Sequence, residues 1–169
     1  MIDTAPLIAE ITAAFDGVSR AGGVSLHESE VLDWAGPDDA RAAARLLDTD
    51  TRWQDVSDAD AKYYHSSMYF LDAIGFRYYL PVFMIYALRY SSLETDFDSV
   101  LAVTLWQLEP NQHQQKRYEE VLHLMTRPQK QAIGNFLQLI VAHADDIYRA
   151  DPARVLHDYW KQYCDSDTE

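Results

Sequence analysis

The chain alternates short apolar periods with polar breaks. Leu7, Ile8, Ile11, Ala14 and Phe15 recur at the spacing of one helix face, with Thr4 able to cap that helix and Gly17 just past its end. Ser25-Leu26-His27-Glu28 fits the capping box, in which serine and glutamate each satisfy a free N–H of the first turn. A second helix is therefore expected from Leu26 to about Ala35, where Gly36-Pro37 stops it. Asp38 leads into a third over 40–47, with Leu46 and Leu47 as its apolar side. Residues 48–55 read as a loop, because Asp and Thr bond locally to the backbone and disfavour a helix interior.

Ser57 or Asp58 can cap the next helix, which carries Tyr63, Tyr64, Ser67, Phe70 and Leu71 inward and ends near Asp72. Over 76–88 apolar residues occupy almost every face, the mark of a central helix packed on several sides. So aromatic a run also suits a strand, but its length and the absence of a hairpin turn favour helix. Pro81 has no N–H to donate, which predicts a first turn or a kink near Leu80. Thr95 or Ser99 can cap a helix through Trp106, and a further helix from near Asn111 reaches Met125. Thr126-Arg127-Pro128-Gln129 is a second capping box, followed by Ile133, Phe136, Leu137, Ile140 and Val141 at helical spacing. Asp151-Pro152 opens a last helix bearing Val155, Leu156, Tyr159, Trp160 and Tyr163.

The pattern predicts an all-α fold, a single helical domain over 1–169 built as a compact bundle of about seven to nine short and medium helices. Residues 70–88 should form its centre, with the 133–141 helix against them and the amino-terminal third outside.

Composition supports a folded chain. With 48% hydrophobic residues, eleven Tyr, six Phe and four Trp, disorder is excluded, and a chain of 169 residues can bury about 70% of its unfolded surface. A lone cysteine, Cys164, leaves no intrachain disulfide framework, and no neighbouring base activates its thiol. An acid stands at Asp3 where an export signal carries Lys or Arg, and the nearly apolar run 78–88 is far short of the ~20 residues that span a bilayer. The expected location is the cytoplasm, with no membrane contact.

Charge narrows the partners. The net −13 sits at the front: residues 1–60 hold thirteen acids against four bases, whereas 61–149 hold nine against eight. Such a balance opposes binding to nucleic acid, where Lys and Arg must supply the attraction. It permits a protein partner with a basic surface; the plainer alternative is a solvated acidic face that aids solubility.

Candidate chemistry is sparse. Glu120 and His123 have the Glu-x-x-His spacing of carboxylate-bridged di-iron bundles, but the second pair and the further glutamates are missing, so they read as polar-edge residues and as weak site candidates. Asp48-Thr49-Asp50 begins like a calcium loop, which Arg52 and Trp53 break. With no nucleophile elbow, phosphate loop or dinucleotide fingerprint, no catalytic residue, cofactor or metal is assigned. The distinctive feature is Arg77 with Tyr78 and Tyr79. Arg77 can hold a carboxylate or phosphate of a ligand, or pair internally and fix helix packing.

Three stretches carry a resemblance: Trp53-Gln54-Asp55-Val56, then Phe76-Arg77-Tyr78-Tyr79-Leu80-Pro81, and later Ala132-Ile133 with Phe136-Leu137 after Pro128. Over roughly 50–140 the chain resembles a family of small bacterial proteins classed as a domain of unknown function, marked by the Phe-Arg-Tyr-Tyr-Leu-Pro signature and a later helix bearing Ala-Ile/Val-x-x-Phe-Leu. The chain departs from it at Ile74-Gly75, where a more polar approach is expected, and this argues against a helix start there. The resemblance implies a bacterial source and a compact fold, and no activity.

The reading these features favour is a non-enzymatic binding or protein-interaction module. One version is an acidic immunity or antitoxin-like inhibitor that blocks a basic protein through 28–60. The enzymatic alternative places a small-molecule pocket beside Arg77, with a tyrosine or Glu120 and His123 moving protons.

Overall fold

The computed structural model describes residues 2–92, 99–110 and 114–164. Among them it is an all-α single domain with no strand. Its α-helices are α1 (Ala5–Ala14), α2 (Leu26–Asp33), α3 (Asp38–Arg45), α4 (Asp58–Tyr63), α5 (Ala73–Tyr90), α6 (Ser99–Gln107), α7 (Gln115–Leu124), α8 (Arg127–His143) and α9 (Asp146–Val155). Tight turns over Trp53–Asp55 and His65–Phe70 flank α4, and α9 runs on through a wide turn, Leu156–Trp160, and a tight one, Lys161–Tyr163. None of these helices is long and apolar enough to cross a membrane.

The caps read from sequence set several boundaries. Ser57 Oγ accepts from the Asp60 N–H at 3.1 Å. At α8 both halves of the box close, with Gln129 N–H on Thr126 Oγ1 at 3.4 Å and Thr126 N–H on Gln129 Oε1 at 3.1 Å. At α1 the first N–H groups are served otherwise than expected: Asp3, not Thr4, accepts from Ala5. Thr95 and Asn111 lie outside the described residues.

Helix α5 is the axis. From Phe76 to Leu88 every residue but Arg77 is buried, and α1, α4, α6 and α7 pack around it. Its start corrects the expected one. Asp72 does not close the preceding helix but caps this one, its Oδ1 accepting from Gly75 N–H at 2.8 Å and from Val24 N–H at 3.0 Å. Pro81 is the ninth residue of α5, neither a first turn nor an end. One lost backbone bond is a local cost that burial on every side outweighs. Pro152 likewise lies within α9, which begins six residues before it.

Two further expectations fail for packing reasons. The region 57–72 is not one helix: α4 stops at Tyr63 and a tight turn follows, so Tyr64, Ser67 and Leu71 are buried while Tyr63 and Phe70 face out. Helix α8 packs chiefly on α1 and α9, and α1 lies against both α8 and α5. The first helix, expected outside, is thus a middle layer with Leu7, Ile11 and its neighbour Phe15 buried. Indole N–H groups tie the shell to it and to the far side: Trp53 donates to Phe15 O at 2.8 Å and Trp160 to Leu108 O at 2.9 Å.

The α2–α3 pair is joined by charge. Glu28 accepts from Arg41 Nη2 at 3.0 Å, from Arg45 Nη1 at 2.8 Å and from the Ser25 N–H at 3.3 Å. Burial works to raise the Glu28 pKa, but these bonds outweigh it and hold the carboxyl below its ordinary 4.5. A depressed carboxyl pKa means stabilisation that is present above the unfolded value and lost as pH falls through the folded one. Glu28→Gln should therefore be less stable than the parent at neutral pH. Urea denaturation across acid pH should show the two curves converging below 4.5; a constant gap would contradict the assignment.

Candidate functional site

The hydroxyls of the aromatic block lead to the chain's most structured polar region. Although consecutive, Arg77 is turned away from Tyr78 and Tyr79. Tyr78 OH donates to Asp50 Oδ2 at 2.6 Å, and Tyr79 OH accepts from Arg20 Nη1 at 2.7 Å. Arg20 also donates through Nη2 to the Asp48 carbonyl at 3.1 Å and faces the Asp48 carboxylate at 4.0 Å. Asp48 in turn holds the start of α2, accepting from the His27 N–H at 3.1 Å and meeting His27 Nδ1 at 2.9 Å. The loop after α3 is thereby fixed from beneath by α5 and from the side by α2.

Electrostatics keep this floor as hydrogen-bond groups. Burial, with the nearby Asp50, raises the Tyr78 and Tyr79 pKa values well above the ordinary tyrosine range, so both stay neutral. Burial disfavours the charge on Arg20, but Tyr79, Asp50 and Asp48 outweigh it and raise its pKa. Tyr64, whose ring lies 4.6 Å from that of His27, is pushed up to about 12, chiefly by burial.

The loop held in this way lines a recess of about 210 Å³. Asp48, Asp50, Asp55 and Asp60 line it together with His27 and Leu47, and no Lys or Arg does. Leu47 lines it from the solvent side, although the sequence placed Leu46 and Leu47 on the apolar side of a helix. Leu46 and Leu47 lie past the end of α3 and are 79% and 63% exposed, and Tyr63 is 67% exposed. The helical phase broke at Arg45, whose guanidinium is drawn to Glu28 and the Gly23 carbonyl, so the two leucines turn outward with the loop.

Arg77 belongs to a different surface. Its Nε donates to Gln129 Oε1 at 3.0 Å, at the start of α8. Glu120 and His123, on α7, line an apolar groove of about 490 Å³ with Ala73, Ile74 and Leu124. Arg77 follows Ile74 by three residues on α5 but is not among the groove's lining residues. No group of three or more His, Cys, Asp or Glu among the described residues is arranged to hold a metal ion.

Sequence reasoning missed His27 and the outward rim. The signal available was Leu46-Leu47 set directly before Asp48-Thr49-Asp50-Thr51, a greasy pair at a loop entrance rather than in a helix. Arg117 gave no local signal. It is a partly buried residue of α7, donating to the Met68 carbonyl at 3.0 Å, the Leu71 carbonyl at 3.2 Å, Gln114 Oε1 at 2.8 Å and Gln107 Oε1.

The chain belongs to the family of unknown function DUF6714, whose model matches residues 3–164. The kinship extends over both the acidic front and α9. No curated protein and no solved structure matches the chain.

Proposed function

We propose that this member of the family is a protein-interaction module whose acidic front binds a partner with a basic surface. The observation that carries the reading is an exposed Leu47 lining a recess with four aspartates and no base, with the exposed Leu46 next to it in the chain and the exposed Tyr63 on the helix that carries Asp60. Exposed large apolar side chains ringed by one sign of charge are what a complementary partner desolvates: the apolar groups supply affinity, and the charges supply steering and register. Over 28–60 the chain carries ten acids and three bases. Arg41 and Arg45 are engaged by Glu28, and Arg52 offsets Asp55 at the recess itself, so the unbalanced charge there rests on Asp50 and Asp60, which have no ion pair among the described residues. The rigid floor of Tyr78, Tyr79 and Arg20 favours binding further, because a pre-organised loop loses little freedom in a complex.

The test places a photo-crosslinking residue at Tyr63 in the source cell and identifies what it captures. The purified partner is then titrated by calorimetry. Binding should weaken steeply with salt, and the double change Asp55→Asn with Asp60→Asn, or Leu47→Ser alone, should each reduce affinity at least tenfold while the circular dichroism spectrum is unchanged. A captured partner whose affinity ignores both salt and these changes would sink the proposal.

A further inference from the structure

Ile74 and Leu124, 38% and 37% exposed, line one groove of about 490 Å³ between the start of α5 and the end of α7. Its walls follow from where the two helices begin and end. Asp72 caps α5, so Ala73 and Ile74 stand in the first turn, with Ala73 buried and Ile74 held against the chain before α2, where a Cβ on Gly23 would lie 2.8 Å from its Cγ2. On α7, Glu120, His123 and Leu124 are three and four residues apart and Glu119 is four before His123, so one helix face carries all four side chains. Val121 falls off that face and is buried. Both apolar side chains are thus positioned by helix geometry before any ligand arrives, which limits the freedom lost on binding.

The charged groups at this groove are of one sign. Asp72, Glu119 and Glu120 line it, and among the described residues no Lys or Arg does. Asp72 Oδ1 is committed to the cap of α5, and Glu120 faces Lys116 at 3.8 Å, an exposed i, i+4 pair whose attraction water screens. Glu119 has no ion pair among the described residues and accepts from the neutral Gln115 amide at 2.8 Å. The nearest arginine along α5, Arg77, is bonded to Gln129. Apolar side chains beside carboxylates that the chain leaves unbalanced suit a ligand that is both apolar and cationic, and repel an apolar anion. Size separates a small molecule from a protein surface. The volume falls within the range of about 300–1,000 Å³ for small-molecule sites, whereas seven lining residues are far fewer than the roughly 20–30 a side of a stable protein interface.

We propose that the groove between α5 and α7 binds a small molecule with an apolar body and a cationic nitrogen, the body against Ile74 and Leu124 and the nitrogen at Glu119 and Glu120. The site shares no lining residue with the acidic recess and does not depend on its partner. The test follows the Ile74 and Leu124 methyl NMR signals of the intact protein through three titrations at constant ionic strength. The probes are 4-phenylbutylammonium, 4-phenylbutanol and 4-phenylbutyrate, which share one apolar body and differ in charge. Saturable movement of both residues' methyl signals is expected with the cation, and binding at least tenfold weaker with the anion. Glu119→Gln with Glu120→Gln should weaken the cation about fivefold and leave the alcohol within about twofold. Leu124→Ser should weaken both. Asp55→Asn with Asp60→Asn removes the same charge from the chain without touching the groove, and should leave the cation within about twofold. No saturation with the cation, equal binding of cation and anion, an unaffected Leu124→Ser, or equal loss in the two carboxylate-to-amide pairs would overturn the proposal.

Discussion

Replacing Arg117 with methionine should cost about 3 kcal/mol of stability, the scale of leaving several buried acceptors without their donor. For a chain of this size that corresponds to a fall in Tm of roughly 6–12 °C. The side chain is held between three elements. Its terminal nitrogens reach the Met68 and Leu71 carbonyls at the end of the tight turn before α5, the Gln107 amide at the end of α6 and the Gln114 amide before α7. Its guanidinium lies 5.0 Å from the centroid of the Phe76 ring. Burial pulls its pKa down to about 10, which still leaves it charged at neutral pH. Methionine fills similar space, so the loss reports the missing donors rather than a cavity. Lysine should recover little, because one ammonium cannot span four oxygens set around a planar fork. Urea unfolding of the parent and both variants decides it: a methionine variant within 1 kcal/mol of the parent would mean that these bonds contribute no more than water does.

Why Arg117 escaped the sequence while other features did not is a matter of range. Caps at Ser57 and Thr126 are legible because donor and acceptor lie three residues apart. Arg117 sits in Gln-Lys-Arg-Tyr-Glu-Glu, which reads as solvated helix surface, and its carbonyl partners are 46 and 49 residues upstream. The density of apolar residues over 76–88 gave the central helix correctly, because no surface helix carries apolar side chains on every face. It could not give the order of layers, since α1 has the same amphipathic pattern whether it covers one neighbour or lies between two. The rim of the acidic recess was misread for a related reason. By residue type Leu46 and Leu47 belong to the apolar side of a helix over 40–47, yet α3 ends two residues earlier, at the Arg45 that Glu28 holds, and the leucines leave with the loop. Arg77 was legible as a residue to inspect, but its partner, 52 residues away, was not.

Gly75→Ala should be the most disruptive single-methyl change in the chain, lowering stability by about 2–4 kcal/mol, the range for overpacking a well-filled interior and more where backbone must move. A Cβ at this position would stand 2.3 Å from the Val24 carbonyl oxygen and 3.0 Å from Asp72 Oδ1. Neither can yield cheaply. Val24 is tied to the same carboxylate through its own N–H, and that carboxylate caps α5 at Gly75, so moving any of the three disturbs a shared junction. Ordinary helix propensity predicts the opposite sign, because alanine is favoured over glycine within a helix by about 1 kcal/mol. The glycine that appeared to argue against a helix start is thus what allows the start of α5 to lie against the chain before α2. Asp72→Ala provides the companion measurement. It removes the acceptor but adds no atom at the contact, and should cost only the ~1 kcal/mol typical of a lost cap together with the Val24 bond. If Gly75→Ala proves neutral or stabilising while Asp72→Ala destabilises, the close approach of Val24 is not a constraint and only the cap holds the junction.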